Sequence, residues 1–410
     1  MKLFFFYIFC LFLRLSATEV GLERFFKEGF VSHLKGKRVG LVTNHTAVDK
    51  EMRNSVDLFK EKIGEYQLVA LFAPEHGLQG SQYAAEHIDH QKDPSGIPIY
   101  SLHGKTRRPT DEMLKEIDVL VYDIQDIGIR SYTYASTLFY LMEAAAKKKI
   151  SVIVLDRPNP INGLIVDGPM LSEQWRSFLG YINVPYCHGM TIGELAHFFN
   201  EEYQIGCDLK VISMKGWKRS MTFKDTDLPW IPLSPAIPES TTPLFYASTG
   251  ILGELSLVNI GIGYTLPFKV IGAEWIDAVV FAEKLNGQKL PGVHFTPFHY
   301  RPFFGSFKGQ DCHGVLIVVK DLKTYRPLAV QYLILGMLKS LYPEKIEEKL
   351  NSLRPDKEKL FCQANGNSAI LKIFKEERYC AWKLIEFQKL EREHFLVLRQ
   401  KYLNPDYTIE

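Results

Sequence analysis

The sequence predicts an α/β protein in which a Rossmann-like, doubly wound parallel sheet is followed by a second, smaller α+β domain. Three observations predict this fold. Four strongly apolar, β-rich runs alternate with segments of helical pattern, as in a sheet covered by helices. The runs are nearly continuous rather than alternating, which is typical of strands buried on both faces. The chain has 410 residues, of which 46% are hydrophobic, enough for two domains.

The elements follow from these patterns in chain order. Segments 54–63, 111–117 and 135–149 have helical patterns and separate the four apolar runs. A further helix is predicted within His188–Tyr203, with Thr191 as N-cap and Glu194 completing a capping box. No G-x-G-x-x-G follows the first run, which disfavours a nicotinamide or flavin cofactor. The predicted strands are Lys37–Asn44, Gln67–Gly77, Asp118–Asp126 and Ile150–Pro160.

The Pro-rich stretch Leu228–Pro243 is typical of a crossing segment or linker. We place the domain boundary near Ser240, so that residues 18–240 form the Rossmann-like domain. Residues 241–410 then form the smaller α+β domain, which includes a predicted strand at Asp311–Asp321 and completes the cleft.

Residues 1–17 have the layout of a secretory signal peptide, because Lys2 precedes an apolar run, Leu3–Leu13, and small residues end at Ala17. We therefore expect an exported protein, periplasmic or extracellular. Arg14 directly after the run leaves an uncleaved anchor as the alternative. The run is short for a membrane span, and no other segment has the length and apolarity of one.

Charge and cysteine content exclude several classes. The formal net charge is +2 and no basic patch stands out, so nucleic acid is not an expected partner. Five cysteines remain after the signal segment, an odd number with no C-x-x-C spacing. This pattern predicts neither a disulfide framework nor a zinc site.

Polar side chains collect where the four predicted strands end. Because the carboxyl ends of parallel strands lie along one edge of the sheet, and ligands bind outside that edge, these groups predict a single polar cleft. A Glu-His pair after a buried strand is costly unless it is hydrogen-bonded or used. The residues are Asn44 after the first strand, Glu75 and His76 after the second, Asp123, Gln125, Asp126 and Arg130 after the third, and Asp156, Arg157 and Asn159 after the fourth.

Structural alternatives remain for several of these residues. Asp156 is either a cleft residue or a partner of Arg157 in a Pro-rich turn, and Asp126 is either functional or the cap of the next helix. Tyr132 and Tyr134 are either core aromatics or a wall on which a sugar stacks. Several carboxylates suit acid–base work on a glycosidic bond or metal-assisted hydrolysis. A G-x-S-x-G elbow is absent, which disfavours an α/β-hydrolase mechanism.

A series of motifs resembles one bacterial family, the NamZ-type exo-β-N-acetylmuramidases, formerly a family of unknown function. The resemblance covers nearly the whole chain after residue 17. The motifs are "GLVTNHT", "LFAPEHGLQG", "IPIYSLHG", "DVLVYDIQDIGIRSYTY", "VLDRPNPINGLIVDGP", "HGMTIGELA", "IGYTLPFKVIGAEW", "GQDCHGVLIVVKD" and "FLVLRQKYLNPDY".

The resemblance implies a glycoside hydrolase that removes N-acetylmuramic acid from the non-reducing end of peptidoglycan fragments, without cofactor or metal. Glu75 is then the expected general acid, because burial favours a protonated carboxyl, and His76 orients it or contacts the sugar. Arg130 or Arg157 is expected to bind the lactyl carboxylate. The expected second carboxylate is Asp123, Asp126, Glu86 or Glu254, and the remaining expected substrate contacts are Asn44, Gln125, Tyr132, Tyr134, Asp156, Asn159 and His188.

The chain departs from the family pattern at a few positions. Many members carry Arg and Glu where this sequence has Ile262 and Lys269, and Cys187 stands where a basic residue is expected. Two rival functions stay open: a non-catalytic protein that binds peptidoglycan fragments, and a metal-dependent hydrolase. The second would use Asp123, Asp126, His76 and His87, the last from the stretch "EHIDH". The oligomeric state is not predicted.

Overall fold

The computed structural model describes residues 18–83 and 86–409, so the predicted signal segment lies outside the described residues. The described chain forms a larger and a smaller sheet. The larger sheet consists of β1 (Arg38–Thr43), β2 (Gln67–Ala73), β3 (Gln91–Lys92), β4 (Pro98–Ser101), β5 (Val119–Asp123), β6 (Ser151–Leu155) and β7 (Leu209–Ile212).

The larger sheet has the strand order β3-β4-β2-β1-β5-β6-β7, and only the β3–β4 pair among its described strands is antiparallel. The six parallel strands follow the 3-2-1-4-5-6 order of doubly wound nucleotide-binding sheets. The order reverses between β1 and β5, where Thr43 lies opposite Asp123. Ligands bind at such a reversal in open α/β sheets. The predicted fold class is confirmed.

Helices cover both faces of this sheet. One face packs Val39 and Leu41 with residues of the first two helices, and the other packs Val42 and Tyr122 with residues of the fourth and fifth. Burial on both faces explains why the strands are nearly continuous apolar runs. These helices are α1 (Gly21–Lys27), α2 (Ser55–Glu61), α3 (Asp111–Leu114), α4 (Thr133–Lys148) and α5 (Ile192–Glu202).

The four predicted strands correspond to β1, β2, β5 and β6, and each ends before its predicted last residue. The predicted capping box of α5 is confirmed: Thr191 Oγ1 accepts from the Glu194 N–H at 3.2 Å, and Glu194 Oε2 accepts from the Thr191 N–H at 3.0 Å. Strands β4 and β7 were not predicted. Each has four residues, too few for a clear apolar pattern, and β7 contains Lys210.

The smaller sheet is antiparallel and has the order β8 (Val270–Ala273), β10 (Cys312–Val319), β9 (Val293–Tyr300). One apolar core extends from Val42 in the larger sheet to Tyr402 near the end of the chain, so the two parts share it. The remaining elements are α6 (Thr242–Glu254), β8 (Val270–Ala273), α7 (Ala278–Gly287), β9 (Val293–Tyr300), β10 (Cys312–Val319), α8 (Pro327–Leu341), α9 (Pro343–Asn351), α10 (Pro355–Asn365), α11 (Ala369–Glu376), α12 (Ala381–Ile385) and α13 (Lys389–Leu398).

The end of the chain returns to the larger sheet. Tyr407 donates its hydroxyl to Asp156 Oδ2 at 2.7 Å, and the Arg219 N–H donates to the Thr408 carbonyl at 2.8 Å. The last residues therefore pack on the Rossmann-like part rather than on the smaller sheet. None of the helices in residues 18–83 and 86–409 is long and apolar enough to cross a membrane.

Candidate active site

The turn after β2 places Glu75 and His76 at the carboxyl edge of the sheet. The Gly77 N–H donates to the Pro74 carbonyl at 3.0 Å, and His76 and Gly77 have φ angles of 70° and 78°. A left-handed residue other than glycine costs on the order of 1–3 kcal/mol, and such strain concentrates at functional sites. His76 Nδ1 lies 2.7 Å from the Gln82 carbonyl oxygen, which fixes the ring.

The Glu75 carboxyl group is held by side chains on two sides, and the residue is only 9% exposed to solvent. The Thr133 hydroxyl donates to Glu75 Oε2 at 2.6 Å, and His103 Nε2 lies 3.6 Å from Oε1. Thr133 is the first residue of α4, and His103 follows β4. Side chains from two elements thus orient one carboxyl group, as general acid–base catalysis requires.

Sequence reasoning missed His103. Burial lowers the pKa of its imidazole, so the ring beside Glu75 is neutral at pH 7. His103 Nδ1 is buried and has no hydrogen-bond partner among the described residues. The signal was present in "IPIYSLHG", since β4 ends at Ser101 and its carboxyl end lies at the same edge as those of β1 and β2.

The loop after β1 adds amide groups next to this turn. Asn44 Oδ1 accepts from the Thr46 N–H at 3.0 Å and from the Thr46 hydroxyl at 2.6 Å, while its buried Nδ2 has no partner among the described residues. Gln125 donates through Nε2 to the carbonyls of Asp126 and Pro158, at 2.8 Å each. Asn44 therefore keeps a donor for a ligand, whereas the Gln125 amide nitrogen shapes the loop.

Asp126, after β5, is a second buried carboxyl group, and only one of its two oxygens accepts a hydrogen bond from the described residues. Its Oδ2 accepts from the Gly128 N–H at 2.8 Å, so it does not cap α4, whose N-cap is Tyr132. Its Oδ1 has no partner in the described part of the chain. Burial raises the pKa of Asp126 to about 7, which lets the group exchange a proton near neutral pH.

Asp123 and Arg157 bind each other. Arg157 Nε and Nη2 donate to the two carboxylate oxygens of Asp123 at 2.5 and 3.0 Å, and both side chains are buried. Arg157 Nη1 also donates to the Val48 carbonyl at 3.1 Å. Asp123 and Arg157 therefore form a bidentate ion pair with each other. Arg157 has no pair of N–H groups left to bind a substrate carboxylate.

Three tyrosines form an aromatic cluster beside the carboxyl groups. The rings of Tyr132 and Tyr134 lie 4.7 Å apart at 74°, and those of Tyr132 and Tyr246 lie 6.3 Å apart at 86°. Tyr132 and Tyr134 are buried, while Tyr246, from α6, is half-buried. The two predicted tyrosines therefore pack as core aromatics, and Tyr246 is the ring of the three with the most exposed surface.

The predicted crossing segment passes over this edge of the sheet. The Pro232 carbonyl oxygen lies 2.7 Å from His45 Nε2, and the Leu233 carbonyl accepts from the Tyr134 hydroxyl at 3.1 Å. A small pocket between the segment and the strand ends is lined by Thr46, Val48, Gln125, Arg157, Phe223, Leu228, Pro229, Trp230 and Ile231.

Arg130 is occupied by backbone carbonyls. Its Nη1 donates to Pro169 and Val184, both at 2.6 Å, and its Nη2 donates to Ala364 and Asn365 at 3.0 and 2.7 Å. Burial lowers the pKa of Arg130 to about 10. The guanidinium ties α10 to the larger domain and has no fork left for the carboxylate contact predicted from the sequence.

Asp156, Asn159 and His188 also serve the scaffold. Asp156 accepts from the Thr191 hydroxyl at 2.8 Å and from the Gly193 N–H at 2.9 Å, so it anchors the start of α5. Asn159 donates to the Met190 carbonyl at 3.0 Å. Burial lowers the pKa of His188 to about 3, and its Nδ1 accepts from the Met190 N–H at 3.2 Å. These contacts hold the segment after β6 against the start of α5.

The two remaining carboxylate candidates lie at the edges of the site. Glu86 is exposed and accepts from the Tyr83 N–H at 2.8 Å. Glu254 ends α6, and burial raises its pKa, although Lys357 Nζ lies 3.8 Å away. The Tyr246 ring lies 6.3 Å from that of Tyr132 and 5.0 Å from that of Phe268, so it packs between the two parts of the chain.

Two family models together match almost all of the described chain. The N-terminal model of exo-beta-N-acetylmuramidase NamZ matches residues 39–241, and the C-terminal model matches residues 244–404. The chain belongs to the NamZ family. The family resemblance predicted from the sequence is confirmed.

Relatives of known sequence or structure agree with this NamZ assignment. The chain is 43% identical over 331 residues to peptidoglycan beta-N-acetylmuramidase NamZ of Bacillus subtilis, covering 80% of this chain and 79% of that protein. A DUF1343 family protein of Bacteroides fragilis is 39% identical, with a TM-score of 0.87 over 94% of this chain and 98% of its own. A second one from that organism is 27% identical, with a TM-score of 0.71 over 96% and 100%.

The stretch "EHIDH" does not assemble a metal site in the described part of this NamZ-family chain. His87 Nε2 lies 3.1 Å from Asp89 Oδ1, and both residues are exposed. Across residues 18–83 and 86–409, no three His, Cys, Asp or Glu side chains are grouped closely enough to hold a metal ion. The five cysteines within these ranges are buried free thiols.

Proposed function

We propose that this protein is an exo-acting β-N-acetylmuramidase that releases N-acetylmuramic acid from the non-reducing end of peptidoglycan fragments. One observation carries the proposal: Glu75 is buried at the carboxyl edge of the larger sheet, after β2, between the Thr133 hydroxyl and the neutral His103 ring. Membership of the NamZ family supplies the substrate class.

In this reaction the bond between the anomeric carbon of N-acetylmuramic acid and the bridging oxygen breaks. Glu75 gives its proton to the bridging oxygen, which leaves as the hydroxyl group of the next sugar. The oxygen of a water molecule forms the new bond to the anomeric carbon and keeps one proton, and the other proton of the water passes to a base. Asp126 is the second carboxyl group of the proposal, because its Oδ1 has no partner among the described residues and its pKa of about 7 allows it to act as a base at neutral pH.

Two substrates with different leaving groups test the role of Glu75. A disaccharide of N-acetylmuramic acid and N-acetylglucosamine has a basic leaving oxygen that needs a proton, whereas a 4-nitrophenyl glycoside has a leaving group that needs little protonation. Glu75→Gln keeps the shape and removes the proton. We expect a loss of about 10²–10⁴-fold on the disaccharide and a much smaller loss on the nitrophenyl glycoside.

The outcomes separate the rival functions. Equal losses on both substrates would assign Glu75 a structural role instead of acid catalysis. Wild-type hydrolysis that is abolished by EDTA and restored by a divalent metal would favour the metal-dependent hydrolase. Saturable binding of muramyl sugars by the wild type, without any release of product, would favour the binding protein.

We also propose that the protein is exported to the periplasm or the extracellular space. The proposal rests on Lys2, the apolar run Leu3–Leu13 and the small residues up to Ala17. Expression of the full chain in a bacterium, followed by cell fractionation and N-terminal sequencing, tests it. A mature protein that begins near Thr18 supports export with cleavage, and a full-length protein in the cytoplasmic fraction contradicts it.

A further inference from the structure

A muramyl substrate carries a carboxylate on its lactyl group, and the two arginines expected to bind it are occupied. Arg130 donates to four backbone carbonyls, and Arg157 donates to both oxygens of Asp123. Removing either cation from its partners would strand buried polar groups, which is costly. The cation that binds the substrate must therefore come from elsewhere around Glu75.

Two other arginines near the site are also paired. Arg108 donates to the Glu143 carboxylate and, at 2.8 Å, to the Tyr181 hydroxyl. Arg176 lies 3.7 Å from the same Glu143 carboxylate, with its guanidinium carbon 3.9 Å from the centre of the Tyr181 ring. These contacts satisfy Glu143 and fix both guanidinium groups in one surface network.

Arg107 differs from these four arginines. It lies in the loop after β4 that also carries His103, it is exposed, and it forms no hydrogen bond or ion pair with the described residues. Its guanidinium carbon lies 4.6 Å from the centre of the Phe178 ring. Stacking on an aromatic face leaves the N–H groups at the edge of a guanidinium free and holds the plane in place.

The Phe178 ring connects Arg107 to the catalytic carboxyl group. Phe178 is buried, and its centre lies 5.9 Å from that of the His103 ring, whose Nε2 is 3.6 Å from Glu75 Oε1. Burial is the main cause of the lowered pKa of His103, and the positive charge of Arg107 lowers this pKa further. The exposed guanidinium of Arg107 is thus oriented by Phe178, the ring that also packs against His103 beside Glu75.

We propose that Arg107, stacked on Phe178, binds the lactyl carboxylate of the terminal N-acetylmuramic acid and so sets the specificity for an acidic sugar. This inference rests on the proposed muramidase function. A guanidinium fork matches a carboxylate in two parallel hydrogen bonds, and the stacked ring reduces the entropy lost on binding. The contact forms on the sugar and not on the scissile bond, so it contributes mainly to substrate affinity.

The experiment compares Arg107→Gln with the wild type on two nitrophenyl N-acetylmuramides, one with a free lactyl carboxylate and one with the neutral lactyl amide. For the free carboxylate we expect KM to rise about ten- to a hundredfold in the variant, with kcat within about threefold of the wild type. The wild type should have a higher KM for the amide than for the free carboxylate. Arg107→Gln should raise the KM for the amide only slightly further, because the amide already lacks the contact that the substitution removes.

Lys105→Gln is the matched control, because Lys105 is an exposed cation two residues away in the same loop. We expect it to leave KM for both substrates nearly unchanged. A KM for the free carboxylate that Arg107→Gln does not change, or equal effects on carboxylate and amide, would overturn the assignment.

Calorimetric binding of free N-acetylmuramic acid separates this inference from the proposed function. The wild type could bind the sugar without hydrolysing any substrate. If Arg107→Gln then weakens this binding about tenfold or more, the carboxylate site is supported and the proposed muramidase activity is contradicted. If neither hydrolysis nor binding by the wild type occurs, both proposals are overturned.

Discussion

The Thr133 hydroxyl donates a 2.6 Å hydrogen bond to Glu75 Oε2 and so joins the first residue of α4 to the turn after β2. Thr133 is buried, so water does not replace it easily. The bond fixes one carboxyl oxygen, which leaves Oε1 as the oxygen that faces His103.

Thr133→Val keeps the branched shape and removes the hydroxyl group. A hydrogen bond to a charged or proton-transferring group contributes about 1.5–3 kcal/mol, so we expect kcat on the disaccharide to fall about ten- to a hundredfold. Thr133→Ser should keep most of the activity. Steady-state kinetics measure both.

Thr137→Val is the control for this change, because Thr137 is a buried threonine one turn later in α4 that donates only to the Thr133 carbonyl, at 3.1 Å. It should leave kcat nearly unchanged. A similar loss of activity in both valine variants would show that the helix, and not the Glu75 contact, is responsible.

Asp126 predicts an acid limb in the pH profile. Burial raises its pKa to about 7, so a base role requires a pH above this value, and kcat/KM should fall as the pH drops through about 7. Asp126→Asn should remove this limb together with most of the activity. A limb that persists in a residually active Asp126→Asn would assign it to another group.

The same shift predicts an effect on stability. The folded pKa of about 7 lies above the unfolded value of about 3.9, so the folded state holds the proton more tightly. The free energy of unfolding therefore falls as the pH rises from about 4 to about 7. Relative to the wild type, Asp126→Asn should gain on the order of 1–4 kcal/mol on going from pH 4 to pH 8 in urea unfolding. No pH-dependent difference would contradict this.

The sequence was sufficient to locate the edge of the sheet where the site lies. Parallel strands align their carboxyl ends, so Asn44, Glu75 and Asp126 could be grouped from the ends of three apolar runs before any contact was known. Thr133 could not be found this way, because its bond to Glu75 spans 58 positions and depends on how α4 packs.

The same limit explains the arginines. Arg130 follows a strand and resembles a cleft residue, yet its partners include the Ala364 carbonyl, 234 positions later in the chain. The bidentate contact of Arg157 with Asp123 spans 34 positions and required the register of β5 and β6. Whether a guanidinium is free or occupied is a tertiary property that a single sequence does not encode locally.

Tyr407 predicts a pH-dependent role for the end of the chain. Its hydroxyl donates to Asp156 Oδ2 at 2.7 Å and accepts from the Met214 N–H at 2.7 Å. Burial raises the pKa of Asp156 to about 6, while the Tyr407 hydrogen bond acts in the opposite direction. Tyr407→Phe should therefore destabilise the protein by about 1–3 kcal/mol.

The loss should be larger at pH 8, where Asp156 is ionised and needs the donor, than at pH 5, where it is largely protonated. Thermal unfolding at both pH values measures the difference. Tyr379→Phe is the control, because Tyr379 is 78% exposed and should leave Tm unchanged. An equal loss at both pH values would place the contribution of Tyr407 in its packing alone.

Substitution by lysine should affect stability at Arg130 and substrate affinity at Arg107. Arg130→Lys cannot reproduce four hydrogen bonds from one planar group, so buried carbonyls lose their donors and the free energy of unfolding should fall by about 3 kcal/mol or more. The active fraction that remains folded should keep the wild-type KM. Arg107→Lys should instead leave Tm unchanged and raise KM for the lactyl carboxylate, because an ammonium group lacks the fork and does not stack. Differential scanning calorimetry and steady-state kinetics on both variants decide the matter, and an Arg130→Lys protein of normal Tm with a raised KM would return the carboxylate to Arg130.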